Sequence, residues 1–199
     1  MRMSELLRRQ DELQSEALEV RDDLGLDAHL SAHGEVVCVG SAALGLMVWR
    51  DLDLTVVSPR LDAEAVAVTG ARIATHQRVR EVTFRNDTGR WNIDPAYPDG
   101  LYLRVRCASQ LGEMWSVDIW FVDEPERQPD LEHLRTLPQR LTASSREAIL
   151  TIKDAWAGRA EYGQQVRSWD IYTAVLDHRA RTVDDFDKWV REARPDRRG

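Results

Sequence analysis

Residues 35–57 read EVVCVGSAALGLMVWRDLDLTVV, and this stretch decides the fold. Glu35 to Val39 is a short, mostly apolar run, the pattern of a buried strand. Gly40-Ser41 interrupts it, and Ser41 to Val48 has the small and apolar content of a short helix. Asp51 to Val57 reads as a second strand, ended by Ser58-Pro59. Successive side chains of a strand point to opposite faces, so Asp51 and Asp53 share one face and Leu52 and Leu54 the other. Two carboxylates held side by side repel unless something cationic lies between them. A divalent metal is the usual solution, and hard oxygen ligands favour magnesium or manganese. Gly40-Ser41 falls where a strand passes into a helix, a place where backbone N–H groups meet an anion. Gly40 permits close approach there, and Ser41 adds a hydroxyl.

Outward from this stretch, the polar segment 4–24 is expected to form an amphipathic helix with Leu6, Leu7, Leu13, Leu18 and Val20 as its stripe and Gly25 as its stop. Asp62 to about His76 reads as another helix. Glu81 to Arg85 alternates and meets a turn signal at Asn86-Asp87-Thr88-Gly89. Leu101 to Cys107 alternates again. Met114 to Val122 (MWSVDIWFV) is nearly all apolar, as a central strand is, and contains one charge, Asp118. A lone buried carboxylate is expensive unless it is paired or metal-bound. If its strand neighbours that of Asp51 and Asp53, the three acids converge and can hold two ions for in-line displacement at phosphorus. The alternative for Asp118 is a salt bridge to Arg104 or Arg106.

From Asp123 the composition shifts. DEPERQPD reads as a linker, and a capping box at Ser144 to Glu147 opens a helix that carries Lys153. Ser168–Leu176 and Thr182–Arg194 complete a small helical bundle, followed by the basic tail PDRRG. The expected division is residues 1–125 as one domain, its N-terminal helix over 1–25, and 126–199 as a helical one. Lys153 borders an apolar stripe, in a chain with 25 arginines and only two lysines, which singles it out from an ordinary solvated lysine. Ser168 reads first as a helix N-cap.

Gly40-Ser41, nine residues, and then Asp51-Leu52-Asp53-Leu54 resembles the signature of the nucleotidyltransferase superfamily related to DNA polymerase beta. Asp118 matches that family's third carboxylate. The segment around Lys153 is similar to the one in poly(A)-polymerase and oligoadenylate-synthetase relatives where a lysine contacts the triphosphate, and Ser168 sits where some of them place a phosphate-binding serine. The resemblance spans roughly residues 34 to 176. It implies an α+β fold, a mixed β-sheet flanked by helices and followed by a small helical bundle, with a nucleotide held between the two parts. It also implies transfer of a nucleoside monophosphate from an NTP such as ATP to an acceptor hydroxyl, with release of pyrophosphate. Asp51, Asp53 and Asp118 would be the catalytic residues and the ligands of two Mg2+ ions, with Mn2+ as a substitute. Gly40, Ser41, Lys153 and Ser168 would hold the nucleotide.

Composition narrows the acceptor. The chain has 199 residues, 34 acidic against 27 basic, for a net charge of -7. This argues against tight non-specific nucleic-acid binding, which needs clustered cations. It points to a small hydroxylated acceptor, and the acids Asp123, Glu124, Glu126, Asp130 and Glu132 suit a cationic one such as an aminoglycoside, the chemistry of antibiotic modification. The rival expectations are a toxin-like enzyme acting on tRNA or protein, and a non-catalytic nucleotide- or partner-binding protein. Two cysteines, Cys38 and Cys107, make no disulfide framework and read as buried free thiols. No run of about 20 apolar residues or signal-peptide core is present, and a cytoplasmic location is expected.

Overall fold

A computed structural model describes residues 3–193. The chain forms a five-stranded mixed sheet flanked by helices, followed by a run of helices, an α+β architecture. The strands are β1 (Glu35–Val39), β2 (Asp51–Val57), β3 (Val79–Asp87), β4 (Gly100–Ala108) and β5 (Met114–Val122), in the spatial order β1-β2-β5-β4-β3. Only the β2–β5 pair is parallel; the other three pairs are antiparallel. β5 lies at the centre, between β2 and β4.

Eight α-helices are described: α1 (Met3–Asp23), α2 (Leu26–Leu30), α3 (Gly40–Leu44), α4 (Ala63–Ala74), α5 (Pro129–Thr136), α6 (Ala143–Trp156), α7 (Ser168–Leu176) and α8 (Val183–Ala193). One apolar cluster joins Leu52, Leu54 and Val56 of β2 and the inward residues of β4 and β5 to α1, α2 and α4. A second joins α6, α7 and α8 to Leu44, Leu46 and Val48, the residues that lead from α3 into β2. The two clusters therefore meet at the short segment between β1 and β2.

Several local expectations are corrected. The stripe of α1 is Leu6, Leu13, Ala17 and Val20, whereas Leu7 and Leu18 face solvent, because the buried face follows the 3.6-residue period rather than each leucine. α3 stops at Leu44, since Gly45 adopts φ 64, and does not continue to Val48. β3 runs through Asn86 and Asp87, which pair with Leu101 and Gly100, so the bend comes at Gly89 instead. The presumed linker is structured: a single 3-10 turn at Pro125–Arg127 leads into α5, whose first turn begins with Pro129, a residue that costs nothing at a helix start. The capping box of α6 is Thr142 with Ser145 rather than Ser144 with Glu147. Cys107 is buried, Cys38 only half-buried, and both thiols are free. Arg194 and the tail PDRRG lie outside the described residues. No described helix is long and apolar enough to cross a membrane.

Candidate active site

The site is built on the register of four adjacent strands. Leu52 and Leu54 are enclosed in the core, which turns Asp51 and Asp53 to the other face of β2. On one side Asp53 is opposite Val39, the last residue of β1; on the other it is opposite Asp118 of β5. Asp118 in turn is opposite Arg104 of β4. Beyond Val39 the backbone turns at Gly40 with φ +63, and a Cβ there would lie 2.3 Å from Oδ2 of Asp53. Glycine is required by both the backbone and the space.

The acids are not treated alike. Burial is the main force raising Asp51, to about 6, and the charge of Asp118 adds to it; the hydrogen-bonded Trp49 side chain, Lys153 and Arg104 pull the other way. Asp53 is raised well above the usual carboxylate range, again by burial first and then by the charges of Asp51, Asp130 and Asp118. Asp118 instead is well supplied with donors. The Tyr102 hydroxyl donates to Oδ1 at 2.8 Å, Arg104 Nε to the same oxygen at 3.0 Å, and Arg104 Nη2 to Oδ2 at 3.4 Å. Hydrogen bonding to Asp118 pushes the Arg104 guanidinium further up, while burial and the Asp118 charge raise the Tyr102 phenol.

Asp51 and Asp53 offer hard oxygens on one face, and both are held toward the neutral form by burial first and then by neighbouring carboxylates, a penalty that a divalent cation beside them would reverse. The pair fits Mg2+ or Mn2+. Among the described residues no three His, Cys, Asp or Glu side chains are gathered to surround one ion, and the Asp118 carboxylate is engaged by Arg104 and Tyr102. The salt bridge weighed as the alternative for Asp118 is therefore present, with Arg104 rather than Arg106.

Lys153 is fully enclosed, at 0% exposure. Its Nζ donates to Ser41 Oγ at 2.6 Å, to the Leu46 carbonyl at 2.7 Å and to the Tyr172 hydroxyl at 3.5 Å. The structure thus brings Lys153 and Ser41 together. Ser168 is neither cap nor neighbour of Lys153: Arg167 is the N-cap of α7, and the Ser168 hydroxyl pairs with Tyr162 Oη at 2.7 Å. Tyr162 packs edge-on against Trp49, which contacts Asp51, so Ser168 belongs to the wall of the site at one remove. α5 packs against α3 and β1, and Asp130 on it adds negative charge to Asp53. Sequence reasoning missed Tyr102, Tyr162 and Tyr172, and named Asp130 only among the acids suited to a cationic acceptor, not as a neighbour of Asp53. The alternation LYLRVRC does place Tyr102 and Arg104 on one face, but only the β4–β5 register shows that face to be the one with Asp118.

No protein-family model matches the chain, and no curated protein matches it in sequence. Solved structures do match. A variant of the Cid1 poly(U) polymerase bound to MgATP gives a TM-score of 0.61 at 20% identity, over 83% of this chain and 50% of that one. Cid1 in complex with its short product ApU gives 0.57 at 20% identity, over 88% and 55%. A cytoplasmic RNA terminal U-transferase gives 0.56 at 19% identity, over 87% and 54%. This chain has the nucleotidyltransferase fold. It spans about half the length of the structures it matches.

Proposed function

We propose that this chain is a divalent-metal-dependent nucleotidyltransferase that moves a nucleoside monophosphate from an NTP to an acceptor hydroxyl. The observation that carries this is the pair Asp51 and Asp53, both pushed toward the neutral form, with Gly40 packed against Asp53 where no other residue fits. Maintaining two such carboxylates side by side is costly and is explained by a cationic ligand. Bound Mg2+ would supply charge neutralisation for the triphosphate and a lowered pKa for the acceptor hydroxyl.

In this reading Asp51 and Asp53 hold the ions. Ser41 and the backbone at Gly40 orient the triphosphate, through a hydroxyl and N–H groups at close range rather than through the dipole of α3, which is only five residues long. The acceptor oxygen attacks the α-phosphorus as the bond to the bridging oxygen breaks. Pyrophosphate leaves with that electron pair, and the acceptor's proton passes to Asp118 once Arg104 has released it. Trp49, Tyr162 and Ser168 wall the site and limit water. In this reading the nucleotide would sit between the sheet and the helices after residue 126, the domain division we propose for the chain.

For the acceptor, we propose the hydroxyl of a nucleotide or of an RNA end. The charge argument for a small cationic acceptor weakens because two of its five acids are answered locally: Glu124 pairs with Arg127 and Glu132 with Arg135. Beside Asp118, in contrast, β4 exposes Arg104 and Arg106, which suit a phosphate. The neighbours' RNA acceptors support the same choice. One observation favours a second reading, nucleotide binding without turnover: the Arg104–Asp118 pair neutralises the third acid.

The test is pyrophosphate release from each of the four NTPs with Mg2+, with total RNA, with dinucleotides and with an aminoglycoside pool, and with Asp51→Asn as control. Release that requires Mg2+ and an RNA or nucleotide acceptor supports the proposal. Nucleotide binding without release from any pool supports the second reading.

A further inference from the structure

The geometry points to Lys153 as a positioning residue that works through Ser41: it fixes the Gly40–Ser41 turn from below and leaves the Ser41 proton free for an anion, without touching a triphosphate itself. α3 is a single turn of five residues, too short to hold its own shape. It is held from α6. Arg146 Nη1 donates to the carbonyls of Leu44 at 2.7 Å and Gly45 at 2.6 Å, and Lys153 donates to that of Leu46 at 2.7 Å. Arg146 and Lys153 are seven residues apart, two helical turns along one face, so a single helix supplies donors to three successive carbonyls.

An ammonium group has three donors and no acceptor. Lys153 spends them on Leu46, Ser41 and Tyr172, and the rings of Trp49 and Tyr172 lie 5.1 Å and 5.7 Å from Nζ. With Nζ wholly enclosed, a phosphate oxygen has no approach to it. Ser41 Oγ accepts from Lys153, so the hydroxyl's own proton points elsewhere, to Tyr172 Oη at 3.4 Å or into the cleft. The arrangement differs from the direct lysine–triphosphate contact expected from the sequence. Its consequence for nucleotide rests on the transferase reading, whereas its geometry does not.

Having only two lysines makes the test direct. Reductive methylation of the native protein, read by peptide mass mapping, should label Lys188, whose side chain is 71% exposed, and leave Lys153 unlabelled with or without MgATP until the protein is denatured. Labelling of native Lys153 at a rate near that of Lys188, with protection by nucleotide, overturns the proposal. Binding of a non-hydrolysable NTP analogue supplies the second readout. Ser41→Ala and Lys153→Met should each weaken it about tenfold, and the double variant should be no weaker than the worse single one. Losses that multiply in the double variant mean a separate contact and overturn the proposal. If Lys153→Met does not fold, Ser41→Ala and the labelling of the native chain still decide. Failure of the wild-type chain to bind any nucleotide overturns the transferase reading and this consequence of it, while the labelling pattern separately tests the strut from α6.

Discussion

Two charged groups lie deep in this protein, and the fold treats them oppositely. Lys153 is sealed from solvent, yet its three protons have acceptors and two rings face its charge. Asp51 and Asp53 are less enclosed, yet they repel one another, and a third acid, Asp130, adds to the load on Asp53. A buried ion whose partners are all protein groups belongs to the scaffold. A pair left with unanswered charge is prepared for something that arrives from outside. The contrast separates the part of the molecule that positions from the part that binds.

The comparison breaks hardest at the acids. Asp53→Asn should lower nucleotidyl turnover by more than about a thousandfold, since losing one metal ligand costs several kcal/mol of transition-state stabilisation. The same variant should raise the Tm of the metal-free protein at pH 7.5, because it removes a repelling charge; a fall in Tm would mean that Asp53 is structural. Asp118→Asn separates the two readings of that residue: lost turnover with unchanged Tm marks the acid as reactive, and lost stability marks it as the Arg104 partner alone.

Gly40→Ala comes next. A Cβ 2.3 Å from the Asp53 carboxylate at φ +63 should cost about 1–3 kcal/mol of stability by denaturant unfolding and displace Asp53, with most activity gone. Lys153→Met should destabilise by about 1–3 kcal/mol, the cost of leaving the Leu46 carbonyl unpartnered.

A gentler probe is pH. Burial, with the charge of Asp118, pushes the Asp51 carboxyl up to about 6. An acid whose folded value is raised keeps its proton longer in the native state, so its contribution to stability falls as pH rises from about 4 through 6, and Asp53 extends that window upward. The Tm gain of Asp53→Asn over the wild-type chain should therefore be large at pH 7.5, shrink at pH 5 and turn into a deficit in saturating Mn2+. A pH-independent gain would deny the repulsion. The smallest effect belongs to Ser168→Ala, which removes one hydroxyl pair to Tyr162 and should cost under about 1 kcal/mol in thermal unfolding.

Much of this was legible in advance where the signal is local. Met114–Val122 and Asp51–Val57 have the expected strand limits, because a run of apolar residues or a strict alternation is a property of neighbours in sequence. The caps of α6 and α7 misled: Thr142, Ser144 and Ser145 compete at one start, Ser168 is drawn to Tyr162 at the other, and only packing selects the cap. A count of acids does not by itself choose an acceptor, because it ignores the arginines that meet them in space.

The sequence by itself determined the two carboxylates on one face of a strand, the glycine and serine before them, and a helix with one conspicuous lysine. These follow from periodicity and residue chemistry within about 20 residues. Only the tertiary structure decided which strands lie beside β2, that Arg104 claims Asp118, and that Lys153 ends on Ser41 from 112 residues away. Register and long-range hydrogen bonds are set by how whole faces pack, and no local pattern carries that information.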